Sequence, residues 1–424
     1  MKDRRRPALG PPTLGQQASF WVSAGVVTHI FWTSAAPAMT YRLYAEQWHL
    51  TPTVTTGIFA VYPIVVVAVL VRFGDLSDHI GRRLVMLLGL GASLIGTLLF
   101  AAAPNVLWLF AGRALTGIGV GLTAGTATAA LVDFSTEGES TRAASVTTAA
   151  QAFGFTGALL LGGALTQYAP WPTHLGFWLL FALIALLFVA TWFLPRRRRG
   201  CPVGAPASRR WQPKSPSIPA GLAWTFALSA SAVTTAYTHG VLILSLGGQV
   251  GHDLVGSSNA LVNGAALSLF AITSGVVGIS ARGLRPRPAM LWGAIASVAS
   301  MGLLALSVAR QELSIFLAST AIAGIGYSLL VLGGLALIGG AVPARHRGGV
   351  LSALYLFAYL SMGIVALGLG VVATERGLGL AVDLGAAAIT LLSLGTIGLL
   401  ALQQMHDRNV PAAPLAGEGC GQSA

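Results

Sequence analysis

The sequence predicts an all-α integral membrane protein, with twelve transmembrane helices in two pseudo-symmetric six-helix bundles. Three observations point there. The 424 residues are 54% hydrophobic and only 9% charged, with 53 glycines, and a mean hydropathy of +0.74 lies outside the range of water-soluble domains. Apolar stretches of about 20 residues, the length that crosses a hydrocarbon core of roughly 30 Å as helix, recur from Phe20 to Leu402. One long break rich in Arg, Pro and Ser divides these stretches into two sets of six that echo each other.

In order, spans 1 to 6 cover residues 18–42, 53–73, 84–103, 105–133, 143–168 and 175–194. Spans 7 to 12 cover 220–247, 255–280, 289–309, 312–341, 348–374 and 380–402. Span 1 follows "MKDRRRP"; it is too long for a signal-peptide core and ends in no small-residue cleavage pattern, so it is expected to be retained. Span 2 ends on Gly74 to Arg83, "GDLSDHIGRR", where Asp75, Asp78, His79, Arg82 and Arg83 crowd into ten residues. Arg142 precedes span 5, and the run Arg196 to Arg199 follows span 6. Residues 195–219 lack apolar periodicity and read as a cytoplasmic linker. The domain plan is therefore a bundle at 1–194, the linker, a second bundle at 220–402 and a tail at 403–424, too short and Pro/Gly-rich for a signalling domain.

The net charge of +12 raises the question of nucleic acid, and the position of the basic residues answers it. With the N-terminus cytoplasmic, one side holds Arg82, Arg83, Arg142, Arg196 to Arg199, Arg209, Arg210, Lys214, Arg282, Arg285, Arg287, Arg345 and Arg347. The other holds Arg42, Arg310 and Arg376. This is the positive-inside asymmetry of a multi-pass protein of the cytoplasmic membrane with both termini inside, and it calls for no nucleic-acid partner. Cys201 and Cys420, the only cysteines, fall in cytoplasmic segments and imply neither a disulfide nor a metal cluster.

The two halves repeat at an offset of about 204–207 residues. "TGIGVG" (116–121) is echoed by "AGIGYS" (323–328), the segment after Arg142 by that after Arg347, Gly74 by Gly278 and Arg83 by Arg287. Parallel six-helix repeats of this kind build a substrate cavity at the midplane between the halves. Apolar, Gly-rich helices resemble one another in any case; the repeated loop charges argue against that explanation.

In "GDLSDHIGRR", positive-inside accounts for the arginines but not for aspartates set between glycines. Gly74 and Gly81 let helix ends approach closely or turn sharply, Asp78 offers an acceptor to a helix N-terminus, and Arg82 and Arg83 can bridge carboxylates. The pattern filled by Gly74, Leu76, Asp78, Gly81, Arg82 and Arg83 resembles the loop motif of the major facilitator superfamily of secondary transporters. The resemblance covers nearly the whole chain: span count, linker position and repeat agree with it. It implies that Asp78 caps the start of span 11, near His346–Gly349, and that Arg82 pairs with Asp133, together latching the cytoplasmic ends in the outward-open state. The second-half copy is degraded, with Arg282 at the aspartate position and Arg285 at the second glycine, so no equivalent latch is expected there. "GRALTGIGVG" (112–121) resembles the family's fourth-helix motif, headed by Arg113. Span 5 fits the antiporter-associated motif only in part: Gly154, Gly162 and Gly163 match, but Ala158 and Leu159 stand where the family has Gly-Pro.

An ionisable residue inside a span is a functional candidate by default. Arg113 lies within span 4, where it binds an anionic solute, tunes the proton affinity of a neighbour or serves helix carbonyls. His29 in span 1, near Trp32 and Pro37, and His239 in span 7 are candidate proton carriers, or else hydrogen-bonded neutral imidazoles between helices. No Asp or Glu occupies a span centre; Glu46, Asp383 and Asp133 are near ends. The rest of the expected pathway is Trp32, Tyr62, Tyr237, Tyr327, Tyr355 and Gln151, while Trp48, Trp108, Trp171 and Trp192 suit interfacial belts. An aromatic cavity with few fixed charges suits a lipophilic or weakly polar organic solute.

The expected function is secondary transport by alternating access, as export driven by a proton gradient. The alternatives are an uncoupled facilitator or uptake carrier, and a membrane sensor or enzyme. No converging catalytic cluster and no Walker-type loop appears in the sequence, so no enzyme activity, cofactor or metal is expected. The expected partners are a small-molecule solute, protons as candidate coupling ion and the lipid bilayer, with the monomer as working unit.

Overall fold

In the computed structural model, which describes residues 13–74, 76–135, 140–195, 218, 220–342 and 347–409, the apolar spans form helices that begin and break at proline, glycine and asparagine. The first half comprises α1 (Gln16–Ala35), α2 (Tyr41–Trp48), α3 (Pro52–Phe73), α4 (Leu76–Ile80), α5 (Arg82–Ala101), α6 (Val106–Phe134), α7 (Ser140–Tyr168) and α8 (Leu175–Trp192). The second comprises α9 (Ala223–Val241), α10 (Gly247–Gln249), α11 (Ala260–Ser280), α12 (Pro286–Arg310), α13 (Leu313–Ala341), α14 (Arg347–Arg376) and α15 (Leu378–Asn409). Linker residues 196–217 and 219, both cysteines, Arg345, His346 and the tail beyond 409 lie outside the described residues.

Eleven of the described helical segments are long and apolar enough to cross a membrane. The twelfth element, α1, is diluted by Gln16, Gln17, Ser19, Ser23, Thr28 and His29, yet it packs against α6, α7 and α8 as one member of the bundle. Pro37 ends it. Lacking an N–H, this residue cannot bond the carbonyl four positions back, and a 3-10 turn at Ala36–Met39 separates α1 from α2. Span 7 departs most from the sequence-based boundary. It runs to Leu254 through two π-helical turns, Leu242–Leu246 and Val250–Leu254, around Gly247 and Gly248. Asn259 then caps α11, accepting from the N–H groups of Leu261 (2.9 Å) and Val262 (3.2 Å). The expected start of span 8 at residue 255 therefore moves to Ala260: π turns carry extra residues per turn, so apolar periodicity blurs across them.

The first-half helices pack as α5 on α6 and α8, and α1 on α6 and α7, with α3 also on α6. The second half repeats this with α12 on α13 and α15, and α9 on α13 and α14. Large apolar side chains such as Trp178, Leu186, Trp292 and Leu391 face outward, as expected of a surface solvated by lipid.

The halves meet along two helix pairs, α3 with α14 and α7 with α11. Missing side chains set the second distance. A Cβ on Gly163 would lie 2.5 Å from the Ala260 carbonyl oxygen, and one on Gly264 closer still to that of Leu159. Only glycine allows this interlocked backbone approach. Gly154 meets the Thr28 backbone of α1 in the same way, so two glycines shared with the antiporter motif act here as helix-packing positions.

Candidate functional site

Between the halves lies a cavity of about 60 Å³. Phe31 and Ser34 of α1, Tyr62 of α3 and Phe155 of α7 wall one side; Tyr237, Gly240, Leu244, Phe270, Tyr327, Tyr359 and Met362 wall the other. The rings hold one another. Tyr237 meets Tyr359 edge-on with centroids 5.0 Å apart, Tyr327 packs on Phe270 at 5.3 Å, and Phe31 on Phe155 at 5.1 Å.

Of the residues expected on the pathway, the structure brings Tyr62, Tyr237 and Tyr327 to this cavity. Tyr355 extends the cluster, 6.3 Å from both Tyr237 and Tyr359. Trp32 points elsewhere, into a small void between α1, α7 and α8, and its ring packs against Gly157. Gln151 is half-buried on α7 and is not among the cavity walls. Phe31, Phe155, Tyr359 and Met362 were not expected.

Both histidines stand off the cavity, each inside its own half. His29 Nδ1 donates to the Val26 carbonyl (3.1 Å) and Nε2 pairs with the Ser93 hydroxyl of α5 at 3.0 Å. His239 Nδ1 donates to the Thr235 carbonyl at 3.1 Å. Its Nε2 is buried without a partner among the described residues, beside an apolar void of about 20 Å³ walled by Leu242, Leu267, Met301 and Phe316.

Arg113 is 1% exposed, and the break in span 1 explains how it is tolerated. Because Pro37 has no N–H, the Thr33 carbonyl is left over, and Nη1 of Arg113 donates to it (3.4 Å) and to Ser34 O (3.2 Å). Nε and Nη2 donate to the Tyr41 hydroxyl at 3.0 and 2.6 Å. The guanidinium also lies over the rings of Tyr62 (5.1 Å) and Tyr41 (5.7 Å). No carboxylate pairs with it among the described residues.

At the arginine-rich end, Gly81 adopts φ +94 between α4 and α5, a conformation that favours glycine. The turn aims Arg82 Nε at Asp133 Oδ2, 2.6 Å away at the end of α6, the pair implied by the motif. Arg83 donates to the Leu194 carbonyl at 3.1 Å and lies over Trp192. Gly74 is right-handed, φ −59, so the sharp turn belongs to Gly81. The Asp78 side chain and residues 343–346 lie outside what is described, and with them the expected cap on α14.

The second half does carry a contact between the halves at this end. Arg282, just beyond α11, donates through Nη2 to the Ala144 carbonyl (2.8 Å) and the Thr148 hydroxyl (3.0 Å) of α7, and through Nη1 to the Ser145 hydroxyl. At the position where the first-half motif has its aspartate, a cation takes the place of the carboxylate, and it donates to carbonyl and hydroxyl oxygens instead of accepting from N–H groups. At the opposite end, Thr53 N–H donates to Thr374 Oγ1 (2.9 Å) and Thr53 Oγ1 to Gly370 O (3.1 Å), joining α3 to α14.

Comparison with known proteins agrees with this geometry. The Major Facilitator Superfamily profile matches residues 21–366. The Major facilitator superfamily multidrug transporter mfsC of Aspergillus fumigatus is 32% identical over 155 residues, 36% of this chain and 30% of mfsC. The multidrug efflux pump LfrA of Mycolicibacterium smegmatis is 32% identical over 112 residues, 26% of this chain and 22% of LfrA. The matches thus span less than a third of either relative's length. A POT family transporter crystallised with a thioalcohol-conjugated peptide superposes with a TM-score of 0.74 at 13% identity, covering 92% of this chain and 96% of that one; the likeness is one of fold. A profile match from 21 to 366, over helices packed as two repeated halves around a central cavity, shows that the chain belongs to the Major Facilitator Superfamily.

Proposed function

We propose that this chain exports a small lipophilic or weakly polar organic solute across the cytoplasmic membrane by alternating access, driven by the proton gradient. The observation that carries the reading is the aromatic cavity walled by both halves, with Tyr62 of α3 facing Tyr237 and Tyr359 of α9 and α14. A site shared between two halves changes its exposure when they rock, and the binding interactions travel with it. Export rests on the two multidrug relatives. The positive-inside rule orients the arginine-rich end toward the cytoplasm, which puts the Arg282–α7 contact between the halves at the inner end, the Arg82–Asp133 pair at the same end within the first half, and the Thr53–Thr374 contact between the halves at the outer end.

A second reading, an uncoupled facilitator, draws support from the placement of His29 and His239 inside their own halves, apart from the cavity. One assay separates the two. Everted vesicles under an imposed pH gradient are challenged with lipophilic cations, neutral drugs and organic acids. Compound-dependent proton release supports coupled export; solute flux that ignores the gradient supports the facilitator; absence of both overturns the transport of lipophilic solutes.

A further inference from the structure

We propose that the central cavity selects by charge, taking lipophilic organic anions such as aromatic carboxylates in preference to cations of the same size; this rests on the cavity being the solute site. Among the described residues, the bundle interior holds one formal charge at its centre, and it is positive. Arg113 is fully buried, and the carbonyls and hydroxyl that receive its N–H groups satisfy hydrogen bonds without supplying a counter-charge. Buried charges ordinarily have a partner of opposite sign. The described carboxylates are at helix ends: Glu46 is 56% exposed, Asp253 49%, and Asp133 is already paired with Arg82.

The guanidinium is one ring away from the cavity. Its central carbon lies 5.1 Å from the centroid of Tyr62, whose ring is part of the wall. A ligand group in van der Waals contact with the far side, about 4 Å further, stands about 9 Å from the positive charge. At an effective dielectric near 20, this favours an anion over a neutral analogue by about tenfold to thirtyfold, and disfavours a cation by a similar factor. Aromatic faces usually attract cations, but here Arg113 already lies over Tyr62. The opposite wall presents Tyr237, Tyr327 and Tyr359; the Tyr237 hydroxyl is engaged with that of Tyr359, which leaves the O–H groups of Tyr327 and Tyr359 to donate to a carboxylate. Tyr237 and Tyr359 also meet edge-on, so the wall is not a stack of open faces. Positive potential from one half and hydroxyl donors from the other make an anion-selective chamber.

The test uses the full-length protein in zwitterionic-lipid nanodiscs, with empty discs as the partition control, and calorimetric titration of three probes: 4-phenylbutyrate, 4-phenylbutyramide and 4-phenylbutyl-trimethylammonium. The expected order is carboxylate tightest by about tenfold or more, amide intermediate, ammonium weakest. R113K should preserve that order, and R113Q should bring carboxylate and amide together. If R113Q does not fold, the order on the unaltered protein decides. Ammonium binding as tight as carboxylate, with the amide also bound, overturns charge selection and leaves the solute site intact. Failure of all three to bind overturns the solute-site reading, and this proposal with it.

Discussion

Arg282→Ala should release the arginine-rich ends of α7 and α11 from each other. The side chain reaches three acceptors on the other half, Ala144 O, Ser145 Oγ and Thr148 Oγ1. A hydrogen bond from a charged donor contributes about 1.5–3 kcal/mol when fully buried. Arg282 is half-exposed, and water competition brings each bond nearer to about 0.5–1 kcal/mol. The sum is about 2 kcal/mol, or roughly a thirtyfold shift between joined and separated ends. Electron-electron distance measurement between spin labels at A149C and I279C, both exposed positions beside the contact, in a C201S/C420S background, reads that equilibrium directly. The expected result is a new longer-distance population in R282A, partly reversed in R282K, which keeps the charge but loses the planar fork. Identical distance distributions in wild type and R282A would show that the contact does not bias the two halves, and the latch argument would fall.

Gly264→Val places atoms into the Leu159 carbonyl, so transport should drop to background while membrane insertion, followed by surface labelling, stays normal; wild-type flux would mean the close α7–α11 approach is dispensable. His29→Leu removes the Ser93 partner and should cost about 1–3 kcal/mol, visible as a lowered thermal midpoint. Any proton-coupled flux per folded molecule should be unchanged by it, and lost coupling with intact stability would return His29 to the proton pathway. Arg82→Gln breaks a largely buried ion pair with Asp133, a loss of about 1.5–3 kcal/mol; it should lower maximal turnover severalfold in vesicles while probe affinity in nanodiscs holds, and equal loss of both would argue against a conformational role for the pair.

Much of the fold is legible from length and polarity alone. Lipid forces each crossing segment to satisfy its own backbone, so an apolar stretch of sufficient length has one outcome, and most span ends fall within a few residues of those read from the sequence. The exceptions have local causes. The π turns at Leu242–Leu246 and Val250–Leu254 shift rotation without changing polarity. The break at Ala36–Met39 depends on Pro37, whose presence was visible, although its freed carbonyl acquires meaning only once Arg113 is known to reach it.

The cavity is less legible because its walls depend on helix rotation, and each residue along a helix turns about 100° from the last. Phe31 and Trp32 are neighbours in sequence, yet one faces the cavity and the other a void behind α1. Residue type ranks the tryptophan first; geometry prefers the phenylalanine. The same ambiguity hides Tyr359 behind Tyr355, although the two share a face at i, i+4 spacing and a cluster containing one implies the other. For Arg282 the difficulty was chemical. A motif position read as a carboxylate makes an arginine there look like a loss, whereas the physical demand at the α7–α11 end is only that some group hold the two halves together. A cation meets that demand by donating to oxygens where an anion would have accepted from N–H groups, so reversing the charge changes the partner atoms without removing the contact.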